Sequence, residues 1–156
     1  MAGKEGFKKG SNKPRSEYKE ELLAIDRVTR VTSWGRQLRF RATVVIGNWK
    51  GKVWIWTWKS WEVVDGIAKA IADAKKNIVE VPIVKGSVPY DVQKKYKAAS
   101  VMLHHASEWT WIIAWSSIRK VLALAWYKDI LAKRYGSTNL LNNARATVKA
   151  LTSYKK

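Results

Sequence analysis

The stretch Gln37-Leu38-Arg39-Phe40-Arg41-Ala42-Thr43-Val44-Val45-Ile46 decides the architecture of this chain. Leu38, Phe40, Ala42, Val44 and Ile46 fall on one face, while Arg39, Arg41 and Thr43 fall on the other. That period of two predicts a strand with one face toward a core and one toward solvent. Residues 27–34 before it and 52–58 after it read as two further strands. Turns are marked by Ser33-Trp34-Gly35 and by Gly47-Asn48-Trp49-Lys50-Gly51. Ser60 stands where it could cap a helix whose apolar residues Val63, Ile67, Ile71 and Ala74 recur at helical spacing, with an end near Lys76-Asn77. A short helical turn is expected from Glu17 to Ala24. Residues 17–77 therefore form a β-β-β-α module, a sheet with its helix on one face.

Further along, residues 78–152 read as a second module. A strand is expected over 78–85, and Pro82 within it favours an edge position. Gly86 to Pro89 is a turn, and 98–104 is another strand. Ser116 or Ser117 would cap a helix carrying Ile118, Val121, Leu122 and Ala125. Residues 129–134 follow as a strand, and Asn139 would cap a last helix bearing Leu141, Ala144, Val148 and Leu151. The order is β-β-α-β-α, so the chain is an α+β protein of two modules without an internal repeat. Residues 1–16 hold Lys4, Lys8, Lys9, Lys13 and Arg15 against Glu5, with no apolar periodicity, and read as a disordered basic arm. Residues 153–156 form a short basic tail.

With 30 Lys and Arg against 12 Asp and Glu among 156 residues, the formal charge is +18. Since 47% of residues are hydrophobic, this is a folded chain and not a basic tail. The absence of cysteine excludes disulfides, thiolate metal sites and cysteine nucleophiles. No apolar run approaches the ~18 residues of a membrane span, and the first residues lack the apolar segment of a signal peptide. A folded protein this basic is expected to have a polyanionic partner, and nucleic acid is the commonest one.

The charge is concentrated. From Arg27 to Lys59 there are eight basic residues and no acid: Arg27, Arg30, Arg36, Arg39, Arg41, Lys50, Lys52 and Lys59. Like charges on neighbouring strands destabilise a sheet unless something offsets them, and backbone phosphates would do so. Arginine predominates, and its planar fork suits phosphate oxygens. These residues, with the turn Ser33-Trp34-Gly35, are the candidate nucleic-acid contacts. The helix after them mixes signs (Asp65, Lys69, Asp73, Lys76) and reads as solvated exterior.

Ten Trp beside nine Gly is anomalous. Trp54, Trp56 and Trp58 alternate along one strand, which suits either a stacking platform for unpaired bases or an aromatic core. Neither explains Trp34 and Trp49 in hairpin turns, where Gly or Asn is expected, nor Trp109, Trp111 and Trp115 near a helix start.

With Gly at these positions the chain resembles the bacterial-type small-subunit ribosomal protein five family from about Glu17 to Leu151. The resemblance is carried by Leu23-Ala24-Ile25-Asp26-Arg27-Val28-Thr29-Arg30-Val31, Arg39-Phe40-Arg41-Ala42-Thr43-Val44-Val45, Ala106-Ser107-Glu108, Gly136-Ser137-Thr138-Asn139 and Arg145-Ala146-Thr147. It implies an N-terminal double-stranded-RNA-binding-like module and a C-terminal module with a left-handed β-α-β crossover. It also implies a structural, non-enzymatic role in the small ribosomal subunit in the cytoplasm, bound to its rRNA. The expected neighbours are small-subunit ribosomal proteins four and eight, close to the channel where mRNA enters and where decoding accuracy is affected. No membrane and no cofactor is implied. The segment Thr32-Ser33-Trp34-Gly35-Arg36 corresponds to the family's rRNA-reaching loop. Ser33 replaces a usual Lys, Ser100 a usual Arg, and His105 and Leu140 usual Pro residues.

In that family Gly stands where this chain has Trp34, Trp49, Trp54, Trp56, Trp58, Trp109, Trp111, Trp115 and Trp126, whereas Trp61 falls at a variable position. At ~1–3 kcal/mol per overpacked site, nine real substitutions would cost roughly 9–27 kcal/mol, against a total stability of ~5–15. The expectation is that UGA codons are written as Trp where the source inserts Gly.

Other chemistry is weak. His104 and His105 are adjacent and on a strand would face opposite sides, unable to share a metal ion. Ser107-Glu108 lacks a nucleophile elbow. With Gly at 54, 56 and 58 the segment would look like a phosphate loop, but the spacing requires Gly at Val53. A free single-stranded nucleic-acid-binding protein using the Trp column is the alternative, and a peripheral membrane binder ranks below it because no amphipathic helix gathers both Trp and basic residues.

Overall fold

The computed structural model describes residues 17–155; the basic arm expected over 1–16 lies outside the described residues. The first sheet is an antiparallel meander of β1 (Lys19–Thr32), β2 (Gly35–Gly47) and β3 (Lys52–Ser60), with the short β4 (Val79–Glu80) on its edge in the order β1-β2-β3-β4. The helix α1 (Val63–Lys76) lies on one face and presents Gly66, Ala70 and Ala74 inward, with Ile67 and Ile71 half-buried beside them. These small residues let its backbone approach Val44 and Ile46 of β2.

Two local expectations are corrected. No helical turn forms between Glu17 and Ala24; β1 begins at Lys19 and pairs with β2 from Lys19 opposite Gly47 to Thr32 opposite Gly35. A bulge between Leu22 and Ala24 lets Leu22 pack under α1 while Leu23 joins the core on the other side, an arrangement one helical turn could not provide. Ser60 does not cap α1, because it is still paired with Phe40 in the sheet. The N-cap position belongs to Glu62, which makes no side-chain capping bond.

The second sheet has the order β5-β6-β8-β7, from β5 (Val92–Tyr96), β6 (Ala99–His105), β7 (Ile112–Ile113) and β8 (Ile130–Gly136). Its first three members are antiparallel; β7 runs parallel to β8 and is joined to it through α2 (Ser116–Ala125). The last helix, α3 (Leu140–Thr152), leads into a 3-10 turn at Ser153–Lys155, where buried Tyr154 holds the tail against the core. Asn139 caps α3 as expected, its Oδ1 accepting from the Leu141 and Asn142 amides at 3.0 and 3.3 Å. Neither Ser116 nor Ser117 caps α2; Trp115 occupies that position without a side-chain bond. The strand expected over 78–85 is reduced to β4 and belongs to the first sheet, at the edge that Pro82 implies. β5, with two lysines in five residues, and β7, only two residues long, carry too little apolar pattern to be read from sequence.

The alternation in β2 holds, but its second face is not exposed. Thr43 and Val45 are 1% and 0% accessible, because this face continues into a larger core with Val53 and Ile55 of β3, Leu122 and Leu124 of α2, and Val148 and Leu151 of α3. Each fully buried aliphatic side chain stabilises the fold by ~1.5–3 kcal/mol, so the β2 segment from Ala42 to Gly47 joins the modules as one hydrophobic unit. Gly47 closes this contact: a Cβ there would collide with the Leu124 backbone carbonyl. Around it, the Trp49 amide donates to the Leu124 carbonyl at 3.2 Å and the Gly51 amide to that of Ala125 at 3.1 Å.

Candidate nucleic-acid interface

Beyond the covered part of the sheet, the distal halves of β1 and β2 continue as a two-stranded arm. Arg27, Thr29 to Gln37 and Arg39 are all exposed, with Trp34 at the tip 97% accessible. The arm persists because six residue pairs, from Arg27 opposite Phe40 to Thr32 opposite Gly35, continue the β1–β2 ladder into it, and Thr32 Oγ1 donates to the Gly35 carbonyl at 3.1 Å across the turn. Gly35 sits at φ 141°, a conformation that favours glycine, so the tight reversal needs this residue.

Register assigns each basic side chain to a face. Opposed residues share a face, so Arg30 (opposite Gln37), Arg39 (opposite Val28) and Arg41 (opposite Asp26 and Lys59) lie together with Lys59 on one side. Arg27, opposite Phe40, and Arg36, opposite Val31, lie on the other. The arm thus carries arginine on both sides, an arrangement suited to contact with two phosphate strands or with a groove and its wall. Arg39 also lies over the Trp61 ring at 5.1 Å, which limits its freedom.

The acid-free face expected from sequence is corrected by one residue. Asp26, immediately before the acid-free span, lies on the arginine face, where Arg41 Nη2 donates to its Oδ2 at 2.7 Å. Lys52 is likewise engaged, 2.9 Å from Glu80 across β3 and β4; the hydrogen bond and charge of that carboxylate raise the lysine's pKa. Lys52 lies at the other end of β3 from Lys59, about 23 Å away at ~3.3 Å per residue, and Lys50 is in the turn just before it. The candidates therefore divide into an arm group (Arg27, Arg30, Ser33, Trp34, Gly35, Arg36, Arg39, Arg41 and Lys59) and a distant pair (Lys50 and Lys52).

Trp54, Trp56 and Trp58 do share a face, opposite Ile46, Val44 and Ala42, but it is the face covered by α1. Trp54 and Trp56 pack into that core, so the column is not an open platform for bases. The two histidines find separate partners: His104 Nδ1 lies 2.7 Å from Asp91 Oδ2, and His105 Nδ1 lies 3.0 Å from the Val88 carbonyl.

A second basic cluster escaped the sequence reading. Arg145 Nη1 donates to the Tyr96 hydroxyl at 3.0 Å, lowering its pKa, and Lys149 Nζ donates to the Lys95 carbonyl at 3.2 Å. Tyr96, Arg145 and Lys149 line, with Trp54 and Trp56, a groove of about 510 Å³ between the modules. Their positions, 95–96 and 145–149, are far apart in sequence, and only the packing of α3 on β5 joins them; no linear pattern signals the cluster.

Residues 18–82 match the family described as Ribosomal protein S5, N-terminal domain, and residues 94–156 match Ribosomal protein S5, C-terminal domain. The chain is 48% identical over 141 residues to small ribosomal subunit protein uS5 of Campylobacter jejuni subsp. jejuni, covering 90% of this chain and 96% of that protein. Identity to the uS5 of Mycoplasmopsis synoviae is 47% over 148 residues, covering 93% of this chain and 60% of the relative. For the uS5 of Thermotoga neapolitana it is 44% over 135 residues, covering 86% and 76%. The two matched regions correspond to the two sheets just described, and on these grounds the chain belongs to the ribosomal protein S5 family.

Proposed function

We propose that the β1–β2 arm is the principal grip of this protein on small-subunit rRNA, with Arg27, Arg30, Arg36 and Arg39 as its phosphate ligands. The observation that carries this reading is an arm exposed on both sides, studded with arginine and lying beyond the part of the sheet that the cores cover. Ser33, Trp34 and Gly35 form the tip that reaches deepest into the RNA. Arg41 and Lys59 stand at its base, and Lys50 and Lys52 make a separate, weaker contact. Family membership makes the chain a structural, non-enzymatic constituent of the small ribosomal subunit in the cytoplasm, bound to its rRNA. The same reading takes small-subunit ribosomal proteins four and eight as neighbours and places the protein's effect near the channel where mRNA enters, with decoding accuracy as the quantity affected.

The test replaces Arg30, Arg36 and Arg39 together with Ala in the full chain and follows its co-sedimentation with small subunits through a salt gradient. The variant is expected to leave the particle at lower salt than the parent chain, because fewer counterions are displaced from phosphate. Retention identical to that of the parent chain at every salt concentration would remove the arm from the interface.

A further inference from the structure

We infer that the native polypeptide carries glycine at positions 49, 109, 111 and 126, because the codon written as Trp at these places is decoded as glycine by the cell that makes the protein. Among the described residues, the non-glycine residues with positive φ are Trp49 (56°), Lys85, Lys97, Trp109 (73°), Trp111 (64°) and Trp126 (77°). Only a few per cent of non-glycine residues adopt such angles, so ten Trp would supply about one at most; here four do. For a ring as large as indole, the left-handed region is disfavoured by the contact of Cβ with the following carbonyl.

The hydrogen bonds around these residues show that the backbone requires the conformation. Trp126 follows the last residue of α2: its amide donates to the Ala123 carbonyl at 3.1 Å, and that of Tyr127 donates to Leu122 at 3.1 Å. This paired termination is the Schellman motif, in which the residue at position 126 is usually glycine. Trp109 is third in the turn Ser107–Thr110, closed by the Thr110 amide to the Ser107 carbonyl at 3.3 Å, and its φ matches the position type II turns give to glycine. Trp111 is fixed by its amide to Asp129 Oδ1 at 2.9 Å and by the Ile130 amide to its own carbonyl at 3.2 Å. Trp49 lies between Asn48, whose Oδ1 accepts from the Lys50 and Lys52 amides, and Gly51 at φ 80°. Each is a place that glycine fills without steric cost.

The rings themselves do little in return. Trp109 and Trp111 are 83% and 72% exposed, although Trp is on average among the most buried residues. Trp49 and Trp126 are half exposed, with ring centroids 5.7 Å apart and a lysine over each, Lys19 at 4.6 Å and Lys128 at 6.0 Å. A codon keeps one meaning throughout a gene, so wherever the same triplet recurs among the other Trp positions it too specifies glycine. Trp54, whose indole N–H is buried without a partner, is the first of these to examine.

Peptide mass spectrometry of protein from the source cells provides the test, and it does not depend on the ribosomal role. Tryptic peptides 42–50 and 121–128 are expected with glycine at positions 49 and 126; indole masses there, or TGG codons in the gene, overturn the inference. A second measurement uses the recombinant full chain. Trp126→Gly is expected to melt roughly 2–4 °C above Trp126→Ala, because both lack the ring and only glycine adopts φ 77° freely. Equal melting of the two variants would refute the backbone argument.

Discussion

Asp26 and Arg41 face one another across β1 and β2, and Arg41 donates from Nε at 3.1 Å and from Nη2 at 2.7 Å to a single carboxylate oxygen. The pair is more than a third exposed on both sides, so it contributes only ~0–1 kcal/mol to stability. Its larger effect is to neutralise one arginine of the arm. Asp26→Asn is expected to leave the melting temperature nearly unchanged and to tighten binding to rRNA fragments several-fold in a filter-binding titration. Weaker binding would mean that Asp26 orients Arg41 toward the RNA.

Arg39, exposed and held near Trp61, should behave as a phosphate ligand. Arg39→Ala is expected to weaken rRNA binding and reduce the slope of log K against log salt by about one unit. Arg39→Lys should retain most of that slope but recover only part of the affinity, since the ammonium lacks the planar fork. A titration series from low to high salt reads both quantities.

Gly47 lies where the two modules meet. Gly47→Ala places a methyl group against the Leu124 backbone carbonyl, which no side-chain rotation can relieve. The expected loss is roughly 2–4 kcal/mol in urea denaturation of the full chain, a magnitude reserved for overpacked or strained positions.

Asn139 satisfies two free amides at the start of α3. Asn139→Ala is expected to cost about 1 kcal/mol, whereas Asn139→Asp should keep most of the cap. Equilibrium denaturation distinguishes the two.

Asp91 makes an acid-sensitive contribution to stability. The His105 backbone amide donates to its Oδ1 at 2.8 Å, and His104 lies against its other oxygen; together they hold its carboxyl below the ordinary value of 3.8. A depressed folded-state pKa contributes stability above the unfolded value and loses it as pH falls through the folded one. The contribution is therefore intact at neutral pH and disappears below about pH 3.8. In thermal melts over that window, Asp91→Asn should be less stable than the parent chain near neutrality and show a flatter fall in Tm on acidification.

Much of the first module was legible because its signals are local. The alternation from Leu38 to Ile46, the paired turns and the spacing of Ile67, Ile71 and Ala74 each lie within one element. The Asn139 cap is legible for the same reason, since it bonds amides two and three residues ahead. The start of β1 reads as helical because Leu22 and Leu23, adjacent and both apolar, break the alternation of a strand; only the bulge that sends them to opposite cores reconciles the pair with a strand. The arginines of the arm were legible as a run of charge. Their division between two faces was not, because it depends on which residue of β1 stands opposite each residue of β2.

By itself, the amino-acid sequence determined that this is a folded, strongly basic, cysteine-free α+β protein whose β-rich first half gathers arginine. Composition and periodicity are properties of short windows, and they persist whatever the chain packs against. Tertiary structure alone decided that Thr43 and Val45 are buried under a second module, that Asp26 neutralises Arg41, that Lys50 and Lys52 lie far from the arm, and that Tyr96 meets Arg145. Each of these is set by which distant residues become neighbours when the apolar faces close on one another, and no window of sequence contains both partners.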